Sequence, residues 1–116
     1  MNDELDAGPI LRQENFSLLG SLEEIFKRIS KLGILLTKDI LKNGMNPIVQ
    51  DHSLATFCKR RTPEQSEVTI EELKNKDSKY LYNKVRMLQS PYPSAFVMTA
   101  DGKKLIIKEV FVQEDS

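Results

Sequence analysis

Five residues of this chain have side chains whose type or setting could support chemistry. Asp6 stands in a Gly-Pro turn near the start, His52 and Cys58 are the single residues of their types, and Arg60 and Arg61 are adjacent. A carboxylate or an imidazole can act as an acid, a base or an orienting group. A thiolate can act as a nucleophile, and a guanidinium pair can bind a phosphate. Spacing alone gives none of the five a partner for such work.

Three of these residues have a plain structural interpretation. Taken alone, Asp6 is a turn residue whose carboxylate bonds its own backbone. His52 lies in a polar run and is expected to be a solvated loop residue. Cys58 has no base beside it in the sequence, so it is expected to be a small apolar filler.

The arginine pair leaves two alternatives open. Arg60 and Arg61 could bind a phosphate or nucleotide, because a planar guanidinium makes bidentate contacts. Alternatively, one of them pairs with a nearby carboxylate such as Glu64, and the other is solvated.

The elements that must position these residues begin with a strand and a long helix. A short apolar run after the turn predicts a strand from about Ile10 to Phe16. Ser21-Leu22-Glu23-Glu24 is a capping box, and apolar residues then recur at three- and four-residue steps. This period predicts a helix from about Leu22 to Lys42, with Asn43-Gly44 as its stop.

The C-terminal part of the chain predicts a helix followed by a hairpin. Asp77 or Ser78 can cap a helix that Pro91 and Pro93 end, because proline cannot lie inside a helix. Asp101-Gly102 between apolar runs is a strong hairpin signal. One face of the hairpin is expected to cover the preceding helix, and the other is a candidate homodimer surface.

An irregular stretch separates these parts. The fold class is therefore predicted to be α+β: a strand and long helix from the end of an α/β domain, an extended linker, then a helix and a C-terminal β-hairpin. The predicted boundaries are 1–44, 45–77 and 78–116, and Thr69-Ile70-Glu71-Glu72 in the linker is a second capping box. That box could start a single helical turn, or residues 67–70 could form a short strand entering it.

Composition limits the possible partners. The chain has 116 residues, with 17 basic and 17 acidic side chains. Nucleic-acid binders usually carry a basic excess, so nucleic-acid binding by this piece alone is disfavoured. No apolar run reaches membrane length, and a single cysteine cannot form an internal disulfide. We therefore expect a cytoplasmic protein without a membrane partner, and the sequence indicates no metal site.

Three stretches, taken in order, carry a resemblance to a known family: Leu5-Asp6-Ala7-Gly8-Pro9-Ile10-Leu11 with Gln13, Arg60-Arg61 followed by Pro63-Glu64, and Arg86-x-Leu88-x-x-Pro91-Tyr92-Pro93-x-Ala95-Phe96. They resemble the C-terminal portion of the formyltransferases, which move a formyl group from N10-formyltetrahydrofolate to an amine. The family includes methionyl-tRNA formyltransferases and sugar N-formyltransferases. It usually has Gly where this chain has Ser94.

The resemblance implies a site that this chain supplies only in part. Asp6 matches the catalytic aspartate, which in the family works beside an Asn and a His located upstream. This sequence has no Asn-x-His arrangement before Asp6, and His52 follows the aspartate instead of preceding it. N10-formyltetrahydrofolate is the family's formyl donor, but the folate-binding loops belong to the upstream half, so binding by this chain alone is not expected.

Two functions are consistent with that resemblance. The chain could be part of a formyltransferase, most like a sugar-nucleotide N-formyltransferase and second like a methionyl-tRNA formyltransferase, and inactive without a complementing N-terminal half. Alternatively, it could be a non-catalytic dimerisation or interaction module, or a split-gene remnant. In either case a homodimer through the C-terminal hairpin is expected.

Overall fold

The computed structural model describes residues 6–115, which form three α-helices and one antiparallel pair of strands. The helices are α1 (Leu22–Asn43), α2 (Ile70–Asn75) and α3 (Ser78–Met87). The strands are β1 (Ala95–Met98) and β2 (Lys104–Ile107). Helices with a small antiparallel sheet confirm the predicted α+β class.

The chain divides into two compact units. The first comprises the chain up to Leu19 together with Glu23–Lys59, and the second comprises Gly20–Leu22 together with the chain from Arg60 onward.

Helix α1 begins and ends where its sequence signals predict. It starts at Leu22 and stops at Gly44, which has a φ of 88° and whose N–H donates to the carbonyl of Ile40 at 2.9 Å. Only glycine adopts that left-handed conformation without a steric cost, so Gly44 ends the helix.

The predicted strand from Ile10 to Phe16 is wrong. Ile10 alone pairs, in an isolated antiparallel bridge with Ile48, and residues 11–19 form no strand. A strand needs a neighbour to accept its N–H groups, and the described residues offer one at a single position.

Arg12 fastens this irregular N-terminal segment to the end of α1. Its Nε donates to the Asp39 carboxylate, Nη2 donates to the Gly44 carbonyl at 2.6 Å, and Nη1 donates to the Met45 carbonyl at 2.9 Å. The hydrogen bond from Arg12, followed by one from Asn43, lowers the pKa of Asp39. Arg12 therefore binds the carbonyls of the two residues that follow the helix, Gly44 and Met45.

The second unit has a small apolar core between α3 and the hairpin. Val68, Val85, Leu88 and Ala95 are buried, and Val97 and Ile107 on the same sheet face pack against them. The hairpin face that was predicted to cover the helix does so.

The hairpin turn has a glycine where the geometry requires one. Gly102 has a φ of 77°, and its N–H donates to the carbonyl of Thr99 at 3.0 Å. The apolar residues after the turn continue to Val112, but strand β2 ends at Ile107, because Ile107 lies opposite Ala95, where β1 begins. Beyond that point the Gln89 side chain, instead of a strand, donates to the Lys108 carbonyl at 3.3 Å.

The two shorter helices have the predicted N-caps. Thr69 accepts from the N–H of Glu72 at 3.1 Å, and Asp77 accepts from the N–H of Tyr80 at 2.8 Å. The alternative strand at residues 67–70 is limited to one parallel bridge between Glu67 and Phe96.

Lys84 of α3 connects that helix to α2 through a mostly buried ion pair with Glu72. Its Nζ lies 2.8 Å from Oε1 of Glu72 and donates to the Glu67 carbonyl at 2.6 Å; the side chains of Lys84 and Glu72 are 10% and 19% exposed. Burial acts to raise the pKa of Glu72, but the hydrogen bond and charge of Lys84, with a backbone hydrogen bond from Thr69, outweigh it and lower that pKa.

Replacing Lys84 with methionine tests this pair. Lys84→Met leaves the Glu72 carboxylate covered without its counter-charge, so we expect the free energy of unfolding to fall by about 2 kcal/mol at neutral pH. Because the folded-state pKa of Glu72 is lowered in the wild type, the pair's contribution is complete at neutral pH. It is lost as the pH falls below the ordinary glutamate value of 4.5.

Urea unfolding followed by circular dichroism at neutral and acid pH measures this effect. The difference between wild type and Lys84→Met should narrow in acid, and Lys79→Met, an exposed change on the same helix, should have little effect. An equal difference at both pH values would contradict the role given to the charge of Glu72.

Candidate functional site

Asp6 lies in an exposed turn at the start of the described chain. Its φ is 55°, in the left-handed region that few residues other than glycine adopt, although aspartate is among the types that tolerate it. None of residues 6–115 donates a hydrogen bond to its carboxylate. The carboxylate is therefore accessible, while the backbone that carries it has an uncommon conformation.

The Asp6 backbone is held by a side chain from much later in the chain. The amide Nε2 of Gln50 donates to the carbonyl of Asp6 at 2.9 Å and to the carbonyl of Gly8 at 2.6 Å. No sequence signal gave Gln50 a contact with Asp6, because such signals report neighbours a few residues apart.

His52 is not brought into contact with Asp6. It begins a short 3₁₀ turn, His52–Leu54, which Asp51 caps by accepting from the Ser53 N–H at 3.0 Å. The imidazole is exposed, and within residues 6–115 no hydrogen bond or ion pair joins it to the carboxylate. His52 is the exposed loop residue that its polar surroundings predict.

The remaining candidate residues are also exposed. Cys58 is a free thiol on the surface, not the apolar filler predicted for it, because the stretch around it packs against little else. Arg61 donates to the Gln65 carbonyl at 2.9 Å, and the ion pairs among the described residues include neither Arg60 nor Arg61. The predicted alternative of a pair with Glu64 is therefore not formed, and phosphate binding by the two arginines stays a prediction.

Asp6 and the arginine pair belong to different units. No group of three or more His, Cys, Asp or Glu residues in the described ranges could hold a metal ion. In the same residues, no helix is long and apolar enough to cross a bilayer. The candidate site is thus the Asp6 turn, whose backbone carbonyls accept hydrogen bonds from the Gln50 amide.

Comparison with known proteins shows which proteins this chain is similar to. No family model matches the chain. The chain is 30% identical over 118 residues to a methionyl-tRNA formyltransferase from Sulfurimonas denitrificans, covering 98% of this chain and 36% of the relative. It is 34% identical over 116 residues to one from Halalkalibacterium halodurans, covering 92% of this chain and 34% of the relative.

A solved structure agrees with these relatives. The methionyl-tRNA formyltransferase from Clostridium thermocellum aligns with a TM-score of 0.71 at 29% identity, over 92% of this chain and 51% of that one. The chain spans about a third of the length of the curated relatives it matches.

Proposed function

Because this chain belongs to the formyltransferase family and matches its C-terminal portion, we propose that it contributes one catalytic carboxylate, Asp6, to a formyl-transfer site. The site transfers a formyl group from N10-formyltetrahydrofolate to an amine and is inactive without an N-terminal half. The observation that carries the proposal is the position of Asp6: it lies in a homologous segment, with an accessible carboxylate on a held turn.

The chemistry of formyl transfer explains why Asp6 alone does not suffice. A base must take the proton of the attacking amine, and a donor must stabilise the oxyanion on the formyl carbon. A carboxylate orients the imidazole that handles the proton, or relays the proton through water. This chain has the carboxylate, whereas no Asn-x-His arrangement precedes Asp6 in its 116 residues. The activity therefore requires a polypeptide portion that carries the Asn and the His.

The formyl acceptor has two candidates. Methionyl-tRNA is favoured because the relatives are methionyl-tRNA formyltransferases. An amino-sugar nucleotide is favoured by the charge balance, since 17 basic and 17 acidic residues leave no basic excess for a tRNA backbone. We propose that the protein works in the cytoplasm. A mixture of this chain with an N-terminal half, given methionyl-tRNA or an amino-sugar nucleotide, shows which of the two acceptors is formylated.

Helix α1 supports the requirement for a second half. Leu22 and Ile25 are its buried apolar residues, whereas Ile34 is 57% and Leu41 82% exposed. Ile34 and Leu41 are seven residues apart and therefore lie on one side of the helix. Apolar side chains on one side of a long helix need cover. We propose that the N-terminal half supplies it, because the relatives are about three times longer than the matched region.

Replacing Asp6 by asparagine tests the catalytic role. In a mixture with the N-terminal half of a relative, Asp6→Asn should reduce kcat by roughly 10²- to 10⁴-fold, because asparagine cannot hold an imidazolium or relay a proton. The rate of formyl transfer and a urea melt are the measurements. Asp115→Asn, an exposed change elsewhere in the chain, should retain full turnover, and full turnover in Asp6→Asn would remove the residue from the site.

A charge on the open side of α1 tests the complementing half. Ile34→Glu should weaken binding of the N-terminal half by at least about tenfold, since a buried glutamate without a partner costs more than 1.4 kcal/mol. Ile70→Glu, at a similarly exposed isoleucine on α2, is the matched control and should bind normally. Titration calorimetry measures both, and equal affinities would show that α1 is not the contact.

The hairpin supports a homodimer as a further partner. The N–H of Thr99 donates to the carbonyl of Lys103, so these two residues form a hydrogen-bonded pair. Hydrogen-bonded and non-hydrogen-bonded pairs alternate along an antiparallel ladder. The N–H and C=O groups of Lys104 and Ile106 therefore point away from β1, toward the free edge of β2. The opposite edge, at Phe96, is already taken by the N–H of Val68 at 2.7 Å. We propose that a second copy pairs antiparallel along β2, because an exposed apolar edge strand is a pairing surface.

A lysine at the centre of that edge should prevent the dimer. Ile106→Lys places a charge where the two strands would meet, and we expect it to be monomeric at concentrations where wild type is dimeric. Met87→Lys makes the same change at a similarly exposed apolar residue on α3 and should remain dimeric. Sedimentation velocity decides between these outcomes, and a dimer that persists in Ile106→Lys would exclude pairing along β2.

The non-catalytic alternative predicts a different result from the same mixtures. An interaction module or split-gene remnant should bind its partners without turnover of either acceptor. Association of wild type with the N-terminal half, without formyl transfer to methionyl-tRNA or to an amino-sugar nucleotide, would favour that alternative.

A further inference from the structure

We propose that Gln50 is a positioning residue for the catalytic carboxylate: its side-chain amide holds the left-handed turn that presents Asp6. This inference rests on the function proposed above for Asp6. It concerns contacts within the first unit alone. The family resemblance assigns no role to Gln50.

The two hydrogen bonds use the full donor capacity of the Gln50 amide. A primary amide nitrogen has two N–H groups, and Gln50 directs one to the carbonyl of Asp6 at 2.9 Å and one to that of Gly8 at 2.6 Å. These carbonyls flank Ala7, so a single nitrogen bridges the turn. The carbonyls are thereby fixed relative to each other.

The conformation of Asp6 needs such support. A non-glycine residue in the left-handed region is uncommon and persists where its surroundings hold it there. Asp6 has a φ of 55°, and its own side chain receives no hydrogen bond from residues 6–115. The Gln50 amide therefore holds the backbone, and the carboxylate stays available for other groups.

The strand register explains why a side chain does this work. Ile10 and Ile48 exchange both backbone hydrogen bonds, at 2.7 and 2.8 Å. In an antiparallel ladder the next bonded pair would be Gly8 with Gln50. Here the Gln50 side chain donates to the Gly8 carbonyl and reaches on to Asp6. The short bridge thus ends in a contact that sets the direction of the turn.

The first measurement uses the chain alone. The three-bond coupling between the N–H and Hα of Asp6 reports φ, and we expect Gln50→Met to move it away from the left-handed value. Gln50→Glu, close in shape but without a donor, should do the same. Gln13→Met is the matched control, because Gln13 is exposed and makes no hydrogen bond among the described residues. It should leave the coupling unchanged.

The second measurement uses the mixture with the N-terminal half. Gln50→Met should lower kcat by about 10- to 100-fold, the cost of a misplaced catalytic group, and leave KM for donor and acceptor unchanged. A residue that only supported folding would change the amount of active complex and its melting transition, not kcat per active complex.

Three results would overturn this role. An unchanged Asp6 coupling in both variants would show that Gln50 does not hold the turn. Unchanged kcat despite a moved coupling would show that the turn does not matter for the reaction. Loss of the folded state in both variants would make Gln50 a structural residue. If wild type itself gave no turnover with the N-terminal half, the proposed function would be refuted, and the coupling would still decide whether Gln50 sets the backbone of Asp6.

Discussion

The need to bury apolar side chains against a neighbouring element is the constraint on which the described part of this chain depends. The second unit meets it internally, because the Ala95–Val97–Ile107 face of the hairpin packs on Val85 and Leu88 of α3. Helix α1 meets it in part: Leu22 and Ile25 are buried and Leu32, Leu36 and Ile40 are half-buried, whereas Ile34 and Leu41 are exposed. A helix gains most of its stability from what packs on it, so this 22-residue helix is expected to be stabilised further by burial of its exposed apolar residues.

Polar contacts replace a core where apolar cover is lacking. In the first unit, Arg12 connects an irregular segment to the end of α1 through two backbone carbonyls and the Asp39 carboxylate. In the second unit, Lys84 likewise donates to a backbone carbonyl and to a carboxylate, but both side chains of its ion pair are mostly buried. Solvent screens the pair of Arg12 with the half-exposed Asp39, whereas removing one partner of the buried pair leaves an uncompensated buried charge. The two units should therefore differ in how they respond to salt and pH.

The sequence predicted those parts of the fold whose information is local. The start of α1, the caps at Thr69 and Asp77, and the Asp101-Gly102 turn depend on residues within four positions of each other, and the structure has all of them. The strand after Ile10 failed because a strand also needs a partner, and the pattern of its own residues does not show whether one exists. The shortened β2 has the same cause, since Ile107 is the last residue with an opposite neighbour.

The candidate site divides in the same way. Asp6 could be found because the residues around it resemble a family, and the exposed settings of His52 and Arg60 follow from their polar surroundings. The contact of Gln50 with Asp6 spans 44 residues, so no local pattern encodes it. A carboxylate orients an imidazole only if its own backbone is fixed, because an error at the Cα is carried to both oxygens. Residues that hold that backbone can therefore matter for rate although they never touch the substrate, and coordinates are needed to find them.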